Sequence, residues 1–132
     1  MKIVIDSNVW ISALVFGGKP RHIFERAVAD GWTIVASEEI FTEVRRILSS
    51  KFIDFIDDFE SFQTVLQSHI VNVKLGSIRL SVSRDEDDNR VIETALIGGA
   101  THIITGDKDL LDLLKYKKIA IVKPSHFLEN IQ

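Results

Sequence analysis

Asp6, Glu43, Asp88 and Asp107 are the side chains of this sequence best placed to do chemistry. Asp6 ends the apolar run Ile3-Val4-Ile5, and Asp107 stands two residues past another, His102-Ile103-Ile104-Thr105. Asp88 opens a helical stretch in which, at ~100° per residue, it shares a face with Ile92 and Ala95. Glu43 lies between Ile40 and Ile47, turned further inward than its neighbours Arg45 and Arg46. Carboxylates aimed at one spot repel one another and lose hydration. A hard divalent cation compensates, and magnesium and manganese favour oxygen ligands. One or two such ions can activate a water and stabilise the charge that develops on a phosphodiester.

Each acid also has a plainer reading. An Asp after a strand is often a turn or cap residue, and Asp87 and Asp88 suit a helix N-cap as well as they suit catalysis. Asp107 and Asp109 could cap the helix just beyond them. Glu43 alone reads as a helix-edge carboxylate in water. Ser7 and Asn8 either orient Asp6 or close a turn, and Thr105 either bonds a carboxylate or fits a strand end. Lys19, Arg21 and His22 come after Gly17-Gly18 and could touch phosphates, although a solvated basic surface is the more usual reading of such residues. Lys108, beside Asp107, is a further candidate for the nucleic-acid backbone. His69, His102 and His126 have no metal-ligand spacing, and Trp10, Trp32 and the phenylalanines read as core. The joint placement of the acids at one sheet edge is the stronger signal, and it depends on the elements that carry them.

Those elements alternate. Ile3-Val4-Ile5, Thr33-Ile34-Val35-Ala36, Val71-Asn72-Val73, His102-Ile103-Ile104-Thr105 and Ile119-Ala120-Ile121-Val122 have the apolar or β-branched character of buried parallel strands. Between them run helical patterns. One passes through Val9, Ile11, Leu14 and Val15, and a second starts near Pro20 and closes at Gly31. A third is capped by Ser37 and carries Ile40, Val44, Ile47 and Leu48. Phe52 to Asp58 and Phe59 to Ile70 predict two further helical pieces. Asp85-Glu86-Asp87-Asp88-Asn89 opens a helix ended by Gly98-Gly99. Short helices are expected over Leu110 to Leu114 and Pro124 to Ile131, and Gly76 to Ser83 reads as loop or short strand. The expectation is one α/β domain over residues 1–132, built on a mostly parallel five-stranded sheet. Ligands in such folds bind beyond the carboxyl ends of the strands.

Composition narrows the chemistry. The 132 residues are 45% hydrophobic and 27% charged, as in ordinary globular domains. The absence of cysteine excludes disulfides, thiolate zinc sites and cysteine nucleophiles, and fits a cytoplasmic setting. No window approaches the ~20 apolar residues of a membrane span, and the first residues are too short an apolar run for a signal peptide. The net charge of −3 is not the basic balance that would point to nucleic acid, but acids gathered to bind metal are counted in it, so a nucleic-acid reading rests on the local site.

In order along the chain, these segments resemble the PIN-domain family. Asp6-Ser7-Asn8-Val9 resembles its opening motif, and Ser37-Glu38-Glu39-Ile40 leading to Glu43 resembles the segment with the second acid. Asp85-Glu86-Asp87-Asp88-Asn89 resembles the third acidic segment, where Asp88, seven residues ahead of Ala95, matches the family acid best. Ile104-Thr105-Gly106-Asp107-Lys108-Asp109-Leu110 resembles the closing motif, with Asp107 as the fourth acid and Asp109 assisting. Glu86 departs from the branch, which often has proline there, and leaves open which carboxylate of that run binds metal. The resemblance is strongest to the toxin components of toxin–antitoxin pairs. It implies a three-layer α/β/α sandwich and a ribonuclease dependent on Mg2+ or Mn2+. The implied ligands are Asp6, Glu43, Asp88, Asp107 and Asp109, supported by Ser7, Asn8, Thr105 and Asp87. It also implies a homodimer and a small antitoxin partner. A housekeeping RNA-processing nuclease and a catalytically idle scaffold are the alternatives. A phosphoacceptor signalling module would need an Asp at the end of the third strand, where Val71-Asn72-Val73-Lys74 offers none.

Overall fold

The computed structural model describes residues 1–131. Strand β1 (Lys2–Ile5) leads into α1 (Ser7–Val15) and α2 (Gly18–Asp30), followed by β2 (Thr33–Ala36) and α3 (Glu38–Lys51). A 3-10 turn at Ile53–Phe55, helix α4 (Ile56–Val65) and a second 3-10 turn at Gln67–His69 reach β3 (Ile70–Asn72). Helix α5 (Glu86–Gly98), β4 (His102–Ile104), α6 (Lys108–Leu111), β5 (Lys115–Tyr116), β6 (Ile119–Val122) and α7 (Pro124–Asn130) complete the chain.

The sheet order is β3-β2-β1-β4-β6-β5, all parallel except β5. Helices flank it in the expected three-layer arrangement. The central strands are buried on both faces: Ile3, Val4, Ile5, Ile34, Val35, Ile103 and Ile104 are essentially inaccessible. This is why they read as continuous apolar runs rather than as alternating ones. Helix α5 packs across β1, β2 and β4. It comes so close at Gly98 that a side-chain carbon there would collide with Val35.

The structure corrects several expectations. The sheet has six strands, not five. The extra one, β5, pairs Lys115 and Tyr116 antiparallel with β6 through a turn in which Lys117 adopts φ 52°. Two residues in a lysine-rich stretch give no periodicity from which to infer a strand. The region from Phe52 to Ile70 forms one helix between two 3-10 turns, not two helical pieces, and its last residue already belongs to β3. The helix expected over Leu110 to Leu114 starts earlier and stops at Leu111, because Asp107 caps it and Leu114 turns to φ 62°. Residues 76–83 form a loop.

The direction of the sheet changes between β1 and β4. From β1 the chain proceeds to β2 on one side, and from β4 it proceeds to β6 on the other. This is the switch point at which open α/β sheets leave a crevice beyond the strand ends. Asp6 follows β1 and Thr105-Gly106-Asp107 follow β4 at that edge.

Candidate active site

Asp6 is 3% exposed and caps α1. One carboxylate oxygen accepts the Ser7 N–H at 2.7 Å. The other accepts the Thr105 hydroxyl at 2.7 Å and the Asn8 amide at 3.1 Å. Asn8 also accepts the Gly106 N–H at 2.9 Å, and Thr105 accepts the Asp107 N–H at 2.9 Å. Asn8 and Thr105 therefore tie the end of β1 to the end of β4 and fix Asp6 against Asp107. Ser7 donates its hydroxyl to Glu43 of α3, which brings the second acid to the same edge.

Asp88 lies in the first turn of α5, 5% exposed, and accepts the Ser83 hydroxyl at 3.1 Å. Asp85, Asp88 and Asp107 each bring a carboxylate oxygen within 4.8 Å of the other two. The N-cap of α5 is Asp85, which accepts the Asp87 N–H at 2.9 Å, so neither Asp87 nor Asp88 serves as the cap. Asp6, Ser7, Asn8, Ser12, Glu43, Ile47, Asp85, Asp87, Asp88, Gly106 and Asp107 line one open cleft of about 500 Å3. Asp87 sits at its outer side, bridged toward Glu43 by Arg46, whose guanidinium is 3.4 Å from Asp87 and 3.8 Å from Glu43.

Electrostatically the cleft is under load. Burial, followed by a hydrogen bond with Asp87 and the charges of Asp87 and Asp6, pushes Glu43 up to about 7. Burial, then the hydrogen bond and charge of Asp107 and the charge of Asp85, pushes Asp88 up to about 8. Burial also raises Asp6, against the hydrogen bonds that favour its ionised form. All the clustered donors are carboxylates, with neither imidazole nor thiolate among them. That donor set suits a hard divalent cation and would relieve the mutual repulsion.

The remaining sequence candidates are placed elsewhere. Asp109 faces Arg84, with two nitrogen–oxygen contacts of 3.3 Å, rather than joining the group at Asp88. Lys108 pairs with Asp112 at 2.7 Å. Arg21 lies over the Phe62 ring, 5.0 Å from its centroid, in a groove lined by Leu14, Asp58 and Val65 rather than in the acidic cleft. Lys19 is exposed near the start of α2.

Sequence reasoning did not single out Ser83, Asn89, Arg90 and Glu93. Asn89 is 2% exposed and Glu93 fully buried, and both hold the loop ahead of α5. An Asn within the first turn of a helix, where it is a poor helix former, was the one signal for them. A charged residue in mid-helix ordinarily reads as solvated.

Comparison with known proteins agrees with this architecture. The family model described as PIN domain matches residues 2–109. The protein MJ1680 of Methanocaldococcus jannaschii is 33% identical over 144 aligned positions, covering 100% of this chain and 92% of the relative. A chain in the crystal structure of VapBC2 from Rickettsia felis, bound to a DNA fragment from their promoter, superposes with a TM-score of 0.62. That match has 12% identity and covers 92% of this chain and 97% of that one. Among the described residues no helix is long and apolar enough to cross a membrane.

Proposed function

The chain belongs to the PIN-domain family, and from that premise we propose that it is a divalent-metal-dependent endoribonuclease, the toxin of a toxin–antitoxin pair. The observation that carries the reading is the convergence of Asp6, Glu43, Asp88 and Asp107, from four separate elements, on one cleft at the switch point of the sheet. Asp85 joins Asp88 and Asp107 by distance. Asp6, Asp88, Asp107 and Asp85 would hold Mg2+ or Mn2+, with Glu43 beside Asp6 through Ser7. A bound cation supplies Lewis-acid stabilisation of the charge that develops during phosphodiester hydrolysis.

The protein's own residues do the rest. Thr105 and Asn8 hold Asp6 in a single orientation, and Ser7 does the same for Glu43. Glu43, with its carboxyl near 7, is suited to exchange a proton around neutral pH. Lys19, Arg21 and Lys108 lie outside the cleft and would touch only the flanking backbone, which positions RNA without reading its bases. The antitoxin partner and a homodimer are assemblies that the sequence resemblance implies. The fold shared with a chain of the VapBC2 complex supports the first, and light scattering would test the second.

Cleavage of structured RNA, unstructured RNA and single-stranded DNA, with Mn2+, Mg2+ or chelator, tests the activity. Wild type should cut unstructured RNA only with metal, and Asp6→Asn should not. Metal-independent cleavage, or equal cleavage by the variant, would overturn the assignment. No cleavage despite saturable Mn2+ binding would favour the idle scaffold.

A further inference from the structure

The loop before α5 is fastened largely through its main chain, with Leu80 packed against the core. Asn89 accepts the Val82 and Ser83 N–H groups at 2.9 and 2.8 Å and donates to the Ser83 carbonyl at 2.9 Å. One turn along the helix, Glu93 accepts the Leu80 N–H at 2.8 Å. Arg90 donates to the Leu80 carbonyl at 3.1 Å and pairs with Glu93 at 2.9 Å. Two rungs of main-chain bonds thus fasten residues 80–83 to one face of α5. Directly beyond them, Ser83 uses its hydroxyl twice, donating to Asp88 and accepting the Asp85 N–H at 3.2 Å.

This arrangement is expensive by ordinary standards. Glu93 is completely buried, with one carboxylate oxygen unpartnered, and the Arg90 Nε is also buried without a partner. Buried ion pairs seldom add net stability against an apolar replacement. A buried arrangement that leaves polar atoms unpartnered and grips the loop's main chain points to a need for accurate placement of the residues next to it, the carboxylates of Asp85 and Asp88 and the Ser83 hydroxyl bonded to Asp88.

We propose that Asn89 and Glu93 are positioning residues of the acidic cleft, clamping the main chain of residues 80–83 so that Ser83 holds Asp88, and Asp85 and Asp88 stand together with Asp107. The inference rests on the metal-binding reading above. It acts through the loop and assigns neither residue a contact with metal or RNA.

The test combines calorimetric titration with Mn2+ alone, hydrogen exchange at the loop amides, and thermal unfolding. Asn89→Ala should expose the Val82 and Ser83 amides to exchange and weaken Mn2+ binding by about ten- to a hundredfold, as loss of groups that orient ligands does. Glu93→Ala should expose Leu80 and weaken binding in the same direction. Glu93→Gln, which keeps an acceptor for the Leu80 N–H, should recover most of the affinity even where Glu93→Ala folds poorly. Val82→Ala, which alters a side chain the clamp does not use, should bind as wild type does. A residue that merely supports the fold would lower the melting temperature and leave the Mn2+ affinity of the folded protein intact. That result for Asn89→Ala, with wild type binding normally, overturns the clamp alone. Absence of Mn2+ binding by wild type overturns both the clamp and the function on which it rests.

Discussion

Helix α1 joins two regions built on opposite principles. Its Trp10 is fully buried among aromatic rings: Phe24 at 4.6 Å, Phe41 at 5.4 Å, and Phe59 and Phe62 at 5.9 Å between centroids. Here apolar burial and tilted or edge-to-face ring packing favour the folded state. One turn earlier, Asp6 and Ser7 enter a cleft whose carboxylates are desolvated and repel one another. The aromatic region supplies stability, and the acidic region draws on it. Hydrogen bonds from Ser7, Asn8, Thr105 and Ser83 offset part of that cost, and the remaining unfavourable charge is what a cation would relieve.

The greatest loss should come from the aromatic side. Trp10→Ala should destabilise by roughly 3–5 kcal/mol, since a large core side chain is removed and the rings around it cannot fully collapse. Denaturant unfolding measures this, and a loss under ~1 kcal/mol would show the cluster to be loosely packed.

A substitution in the cleft should behave in the opposite way. Asp6→Asn removes a buried charge while preserving shape. It should leave metal-free stability unchanged or higher, yet abolish metal-dependent RNA cleavage. A strongly destabilised variant would mean that Asp6 is principally a structural cap.

A smaller effect comes from pH. Glu43 and Asp88 titrate near 7 and 8 when folded, above their ordinary values of 4.5 and 3.8. Between those limits the folded protein binds more protons than the unfolded chain. The stability linked to them is complete below about pH 4 and declines as pH rises toward about pH 8. Without metal, the melting temperature should therefore fall from pH 5.5 to pH 8 by about a few degrees. Added Mn2+ should raise it more at pH 8 than at pH 5.5. An equal Mn2+ shift at both values would disconnect the acids from the cation.

The least effect concerns the edge of the cleft. Asp109→Asn removes a partner of exposed Arg84, not a member of the clustered carboxylates. Mn2+ affinity should change by less than about threefold, the scale of a surface ion pair. A tenfold loss would restore Asp109 to the ligand set.

Much of this molecule was legible in its sequence. The buried strands announced themselves because parallel strands covered on both faces leave continuous apolar runs. The pairing of β1 with β4 then places Asp6 beside Asp107, and the inward face of α5 places Asp88. Glu43 was separable from Arg45 and Arg46 by helical phase alone. What escaped was set by contacts distant in sequence or by backbone. Strand β5 is too short to carry a period. The capture of Asp109 by Arg84 depends on how a loop folds across 25 residues of chain. Asn89 and Glu93 act on main-chain groups, so nothing in the identity of residues 80–83 reveals their partners.

Whether the clustered carboxylates hold a cation is decided by calorimetric titration of Mn2+ at pH 7.5 into wild type and Asp88→Asn, each in two buffers of different ionisation enthalpy. Saturable binding to wild type, with proton release detected as a buffer-dependent heat and with both signals lost in the variant, is the predicted result. Binding that is absent in wild type, or unchanged in Asp88→Asn, would contradict the metal-dependent reading of the cleft.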